Sequence, residues 1–391
     1  MRQTIYSLFL RLIRIALGNA ERMEASLSAD EWEALINMAV KQGMVGVAFS
    51  GVEKLPKGQM PPLEVIMDWS AAVDYMEKEN IHLNNVNVKV CEMFERDGKR
   101  ACIIKGASLG ALYPEPLRRS PGDVDVWMAG GHDAVSEYMR GKFSHVDESN
   151  THHVEVVVNG ISVEVHFLPA ELHSIRHIRY LKSYYEKVEA MPWDCHVELD
   201  IEQPNKNLRV AKNGRKGRIV VPQLHVSLVI AIVHLFHHWA FEGIGMKQVL
   251  DCYWLLKQVD KADAAQNGAD PAASKSADAI RSDAMRLFRK VGIGKFVAAL
   301  MYVLQQIGMD EALMICPPNA KYGKRLLNDI LETGIISAEE VADGIGGHES
   351  IMHKFFRRFQ RVMRMMPVAP SELPWMLTRN VVRWVFSRDI V

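Results

Sequence analysis

Asp123 and Asp125 stand two residues apart in GDVDVW, near the end of the stretch Lys105 to Trp127, KGASLGALYPEPLRRSPGDVDVW. Side chains alternate along a β-strand, so Val124 and Val126 enter a core while both aspartates project from the other face. Like charges held that close repel, and burial would raise their pKa values, so a divalent cation is the natural counter-charge. The chemistry this suits is metal-assisted phosphoryl transfer. On an exposed face, each aspartate should be replaceable by asparagine with loss of chemistry but not of fold.

A third carboxylate comes from HHVEVVVNGISVEVHF, His152 to Phe167. Two alternating or β-branched runs flank Asn159-Gly160, the pair that best tolerates a type I′ turn, which predicts a hairpin. In its second strand Ile161, Val163, Val165 and Phe167 share one face, and Ser162, Glu164 and His166 the other. A slip by one residue would send Glu164 into the core, so turn and pattern together place Glu164 on the same face as Asp123 and Asp125. Upstream, Ala101 to Ile104 reads as a strand that breaks at Lys105-Gly106, and Ala107 to Leu112 as the opening of a helix. Backbone N–H groups at such a helix start, with Ser108 nearby, can hold phosphate oxygens.

A Gly-Ser-type helix turn, then two acids flanking an apolar residue on a strand, then a lone acid on a later strand, resembles the DNA polymerase β-like nucleotidyltransferase superfamily. More narrowly, IIKGASLGALYP, the later GDVDVW, VEVHF and the distant HLFHHWAFEGIGMKQVLDCYWLL resemble the bacterial group of uncharacterised nucleotidyltransferases. The likeness runs from about residue 10 to residue 260. Here the usual Gly-Ser or Gly-Gly pair is Gly106-Ala107, with Ser108 one place later. The resemblance implies transfer of a nucleoside monophosphate from a nucleoside triphosphate to an acceptor, with release of pyrophosphate. Asp123 and Asp125 would bridge two Mg²⁺ (or Mn²⁺) ions, one of them shared with Glu164. Lys105, Arg118 and Arg119 would neutralise triphosphate charge, and Gly106 and Ser108 would hold phosphate. It also implies that the His-rich helix and the following helix pack over the catalytic unit, so that Asp251 lines the cleft without binding metal. The rival reading is a catalytically inactive nucleotide- or RNA-binding module that retains the fold. Three acids gathered at a desolvation cost argue against it.

The elements that must position these residues follow from the same chain. Residues 1–98 read as helical: Ser28 and Glu31 form a capping-box signature before a helix from Trp32 to Gln42, and Pro61-Pro62 open a longer one that Asp97-Gly98 closes. Residues 99–222 read as the catalytic unit with a β-hairpin extension: from about 99 to 170 strands alternate with helices as an α/β unit requires, which predicts a small mixed sheet with helices on one side. Within it, Leu172 to Val188 has helical spacing, and Leu208 to Val221 predicts a hairpin around Asn213-Gly214 whose basic residues, Arg215, Lys216 and Arg218 among them, form a solvated turn. Residues 223–391 return to helix, beginning with a buried one from Leu224 to Phe236. His234, His237 and His238 lie at helical spacing, but no H-E-x-x-H pattern accompanies them, so they read as polar packing residues rather than zinc ligands. Lys261 to Asp278 reads as a flexible linker, followed by helices over Ala279 to Gln306, Tyr322 to Glu332 and Ala338 to Asp343. The basic tail from Ile351, with FFRRFQRVMRMM, reads as packing or contacting a partner. The fold class expected is α+β: a small mixed-sheet nucleotidyltransferase core flanked by N-terminal and C-terminal helical regions.

Composition narrows the rest. With 391 residues and no net charge the chain has room for more than one core and is not a general polyanion binder. Five scattered cysteines without a C-x-x-C pair suit a reducing cytoplasm. Arg11 and Arg14 interrupt the apolar N-terminus, so it reads as an amphipathic packing helix rather than a signal peptide, and no stretch reaches the ~18 apolar residues of a membrane span. The phosphate loop G-x-x-x-x-G-K-[ST] and the G-x-S-x-G elbow are both absent. The acceptor, whether small molecule, protein or RNA, is not written in the sequence, and neither is the oligomeric state.

Overall fold

The computed structural model describes residues 2–202, 215–241, 243–266, 276–335 and 359–378. Four helices precede the sheet: α1 (Arg2–Ala16), α2 (Ala29–Lys41), α3 (Val45–Val52) and the long α4 (Leu63–Arg96). The capping box of Ser28 and Glu31 forms in both directions at the start of α2, satisfying amides that the first helical turn leaves without partners. The sheet is built from β1 (Ala101–Ile103), β2 (Val124–Met128), β3 (His153–Val158) and β4 (Ile161–His166) in the order β1-β2-β4-β3. Strand β2 is antiparallel to β1 and parallel to β4, and β3 and β4 form the expected antiparallel hairpin. Between them lie α5 (Ala107–Gly110) and the crossover helix α6 (Gly131–Lys142). Then come α7 (Ile175–Glu189), a two-stranded sheet of β5 (His196–Asp200) and β6 (Lys216–Val220), and helices α8 (Leu224–Phe241), α9 (Met246–Gln266), α10 (Ala277–Lys290), α11 (Gly294–Gln306) and α12 (Ala320–Thr333). The chain is thus α+β, and no helix among the described residues is long and apolar enough to cross a membrane.

Alternation along β2 and β4 sorts their side chains onto two faces. Val124, Val126, Val163 and Val165 enter a small core with Val86, Val90 and Phe94 of α4 and Val135 and Met139 of α6. Trp127, on the other face, joins a large core containing Tyr185 of α7, Phe236 of α8 and Tyr253 of α9. Helices therefore cover both faces of the sheet, not the one side that the α/β pattern suggested. The large core also takes in Phe9 and Leu12 of α1 and Trp32 of α2, so helices from before and after the sheet share one apolar cluster.

Four local expectations are corrected. The helix expected over Ala107 to Leu112 is the single turn α5, because Pro114 and Pro116 follow and cannot continue it. Strand β6 pairs with β5, a segment that carried no strand assignment, and the proposed hairpin arm before Asn213-Gly214 lies outside the described residues. The linker expected from Lys261 begins instead as the last turns of α9, since Lys-Ala-Asp-Ala-Ala-Gln is mostly strong helix formers extending an existing helix. The helical stretch expected over Ala279 to Gln306 is divided into two helices, α10 and α11. Gly292, at φ 76°, takes the left-handed conformation, and the bonds from Ile293 N to Phe288 O (2.9 Å) and Gly292 N to Arg289 O (3.2 Å) make a Schellman close to α10. The helix expected over Ala338 to Asp343 lies outside the described residues, as does part of the basic tail. Residues 359–365 of that tail are helical, and Val362 and Met365 pack into the large core.

Candidate active site

The parallel register of β2 and β4 sets Asp125 opposite Glu164, and Asp123 precedes β2 by one residue. All three carboxylates line one cavity of about 410 Å³. Lys105, Gly106, Arg119, Lys247, Asp251 and several histidines complete its wall. The backbone after β1 reaches it through Gly106, whose φ of 59° is left-handed and where an added Cβ would stand 3.0 Å from the carbonyl oxygen of Asp123. A larger residue there would be strained in both respects.

The two aspartates are not equivalent. Asp125 is only 6% exposed, which overturns the expectation of an open strand face at that position, whereas Asp123 is exposed as expected. Its Oδ1 accepts from Lys105 Nζ at 2.7 Å and from His166 Nε2 at 3.0 Å, while Oδ2 takes part in neither contact. Burial works to raise its pKa, but Lys105 and His166 prevail and hold the carboxyl well below the usual carboxylate range. Asp123 has no such partner. Burial raises it, and Asp125 and Glu164 raise it further by like-charge repulsion. Glu164 Oε2 lies 3.2 Å from His166 Nε2 and 3.5 Å from His153 Nδ1.

The cations expected at the site separate into three situations. Lys105 rests on Asp125 and against the ring of His234, 3.1 Å from its Nε2. Arg119 is buried and clamped bidentately by Asp251, with Nε to Oδ1 and Nη2 to Oδ2 both at 2.8 Å, and Tyr113 donates its hydroxyl to the same Oδ1 at 2.8 Å. Arg118 lies elsewhere, bonded to Glu53 and Glu77 and lining a different cavity with Ser50 and Trp254. Ser108 is buried, and both its amide and its hydroxyl donate back to the Lys105 carbonyl at 3.2 Å, so the donors expected to meet phosphate are already engaged.

Lys247 was not singled out by motif or spacing. It reaches in from α9, donates to the Pro121 carbonyl at 2.8 Å, and burial followed by Arg119 pushes its pKa down to about 8. No local pattern could have found it, because α9 meets the aspartate segment only in three dimensions. His166, by contrast, was visible as sharing a face with Glu164. His234, His237 and His238 all line the cavity. Among the described residues, however, the groups spaced to hold a metal ion are His152-His153-His166 and Asp125-Glu164-His166.

Fold and site together define an α+β protein with an acidic cleft lined by buried cations. The chain belongs to the family of uncharacterised nucleotidyltransferases, whose model matches residues 28–289. A solved antigenic nucleotidyltransferase-like protein from Paracoccidioides brasiliensis matches over 45% of this chain and 76% of that chain at 13% identity, with a TM-score of 0.24, a likeness on which nothing further rests. No curated protein matches.

Proposed function

We propose that this chain is a metal-dependent nucleotidyltransferase that moves a nucleoside monophosphate from a nucleoside triphosphate to an acceptor hydroxyl, amine or phosphate, releasing pyrophosphate. The observation that carries the reading is the β2–β4 register, which sets Asp125 against Glu164 with Asp123 two residues before it, all facing one cavity. The donors suit Mg²⁺ or Mn²⁺: Asp125 and Glu164 supply hard oxygen ligands at metal-holding spacing, Asp123 lines the same cavity, and burial together with repulsion from those two carboxylates raises the Asp123 pKa, a cost that a cation would relieve. When bound, such an ion neutralises triphosphate charge and lowers the pKa of the attacking group.

The chain's own residues do the rest. Lys105 and Lys247, both in the cavity wall, offer positive charge to the triphosphate, where low local dielectric strengthens each contact. Arg119 adds to the field, but its donors to Asp251 orient the wall rather than the substrate. His166 fixes the side chain of Asp125 through Nε2. Attack by the acceptor on the α-phosphorus forms one P–O or P–N bond and breaks the bond to the β-phosphate, whose oxygen leaves in pyrophosphate. Five cysteines, all free, suit the reducing cytoplasm in which we place the reaction.

The test is incubation of the purified chain with labelled triphosphates, Mg²⁺ and a host-cell extract. Label should pass to an acceptor and should not do so with Asp123→Asn. Triphosphate and Mg²⁺ added together should raise the melting temperature more than either alone. Failure of both, at millimolar ligand, would favour a binding module that keeps the fold without the chemistry.

A further inference from the structure

Three histidines gather beside the carboxylates, and beyond the contact of His166 with Asp125 the transfer reaction does not use them. His153 and His166 face one another in the antiparallel register of β3 and β4. His152 is held next to them because its carbonyl accepts from Phe167 N at 3.1 Å and Leu168 N at 3.2 Å. The ring centroids lie 4.6 Å apart for His152 and His153, 5.0 Å for His153 and His166, and 5.4 Å for His152 and His166. Each ring offers a nitrogen within 4.8 Å of the others.

These nitrogens lack partners. His153 is 5% exposed and His166 fully buried, yet both nitrogens of His153, Nδ1 of His166 and Nδ1 of His152 make no hydrogen bond. The nearest carboxylate oxygens, Glu171 Oε1 at 4.0 Å from His152 Nδ1 and Glu164 Oε2 at 3.5 Å from His153 Nδ1, are too far or too poorly aligned to serve. Buried polar atoms are nearly always satisfied, and several orphans gathered within 4.8 Å of one another point to a missing partner that accepts lone pairs. His166 also has the arrangement typical of a metal-bound imidazole: its Nε2 faces Asp125 Oδ1 at 3.0 Å, which leaves the lone pair on the unpartnered Nδ1.

We propose that His152, His153 and His166 form a second cation site, adjoining the carboxylate site through the shared His166, that takes a borderline transition-metal dication, with Zn²⁺ as its representative. Imidazole nitrogens select such ions over Mg²⁺, which prefers oxygen. Three protein ligands, rather than four, are the pattern of sites that keep a position for water or substrate, and His152 and His153 line the cavity. A dication there stands beside Glu164 and is coupled through His166 to Asp125. The proposal does not depend on transfer activity, so a negative transfer assay leaves it standing.

The test is metal uptake by the full chain after chelator treatment and dialysis, titrated separately with Zn²⁺ and Mg²⁺, with Co²⁺ as a spectroscopic stand-in. The wild type should take up one equivalent of Zn²⁺ that excess Mg²⁺ does not displace, and Co²⁺ should give visible absorption bands. Asp123→Asn should keep that equivalent. His153→Gln and His152→Gln should each weaken Zn²⁺ binding more than ~10-fold, with helical circular dichroism retained; His152 is half-buried, so its variant reads the site even if His153→Gln fails to fold. No stoichiometric uptake by folded wild type, unchanged affinity in a folded histidine variant, or loss of Zn²⁺ in Asp123→Asn would each overturn the assignment.

Discussion

Asp123 and Asp125 are two residues apart and share a cavity, yet substitution should separate them. Asp125 has its pKa lowered in the folded chain, so it contributes stability that is present at neutral pH and is lost as pH falls below the ordinary carboxylate value of 3.8. Asp125→Asn leaves buried Lys105 without its counter-charge and should cost about 3–5 kcal/mol by urea unfolding, as well as turnover. Asp123 has its pKa raised, so its ionised form costs stability above that same value. Asp123→Asn should therefore abolish turnover with melting unchanged or higher at pH 7. Equal destabilisation by the two variants would contradict this electrostatic asymmetry. Lys247 supplies a pH dependence of its own. It is charged below about 8 and neutral above, so triphosphate affinity should fall as pH rises through that value. Lys247→Met should weaken triphosphate binding roughly 10- to 100-fold at pH 7, in line with about 1.5–3 kcal/mol for a charge-assisted hydrogen bond, and flatten the pH profile. A profile unchanged in the variant would remove Lys247 from triphosphate binding.

At the scale of elements, the β3–β4 hairpin sets the site. Its turn uses Asn159 at φ 52° and Gly160 at φ 80°, both left-handed, as a type I′ turn requires. A Cβ at Gly160 would meet no atom within 4 Å, so Gly160→Val is penalised by backbone conformation alone. We expect a loss of roughly 1–2 kcal/mol on thermal or urea unfolding. A neutral Gly160→Val would show that the register is held by the valine pattern without help from the turn. Because that register puts Glu164 beside Asp125, Glu164→Gln should slow the single-turnover chemical step far more than it changes triphosphate affinity. A normal single-turnover rate would leave the two aspartates in need of another partner.

Across the whole molecule, buried polar ties lock distant segments around the cleft. Arg119 and Asp251, 132 residues apart, join the aspartate segment to α9. Glu372, fully buried, accepts from the amide of His173 at 2.7 Å and of Ser174 at 3.2 Å. Arg361 reaches Asp329 at 2.7 Å, tying the basic tail to α12. Asp251→Ala strands a buried guanidinium and should cost about 3–5 kcal/mol, whereas pairing Arg119→Met with Asp251→Leu should recover most of that loss. The double variant should still bind triphosphate more weakly than wild type, since Arg119 contributes charge to the cavity wall. Equilibrium unfolding and a binding titration on the same samples check both halves, and a double variant as unstable as the single one would contradict the account.

Local periodicity determines which strand residues face the cavity that the three carboxylates line. A side-chain period of two and one Asn-Gly turn determine that Val163 and Val165 go inward and Glu164 outward, and the same rule makes Val124 and Val126 core residues beside Asp125. The capping box of α2 and the buried run of α8 are local for the same reason. The partners of the charges were decided only by tertiary structure. Lys105 lands on Asp125, Arg119 turns to Asp251 while its neighbour Arg118 turns to Glu53 and Glu77, and Lys247 and His234 arrive from helices more than a hundred residues downstream of Lys105. Which face an element presents follows from the residues within a few positions of it. Which charge meets which depends on how whole elements dock, and docking is driven by apolar burial that is blind to the charges it brings together.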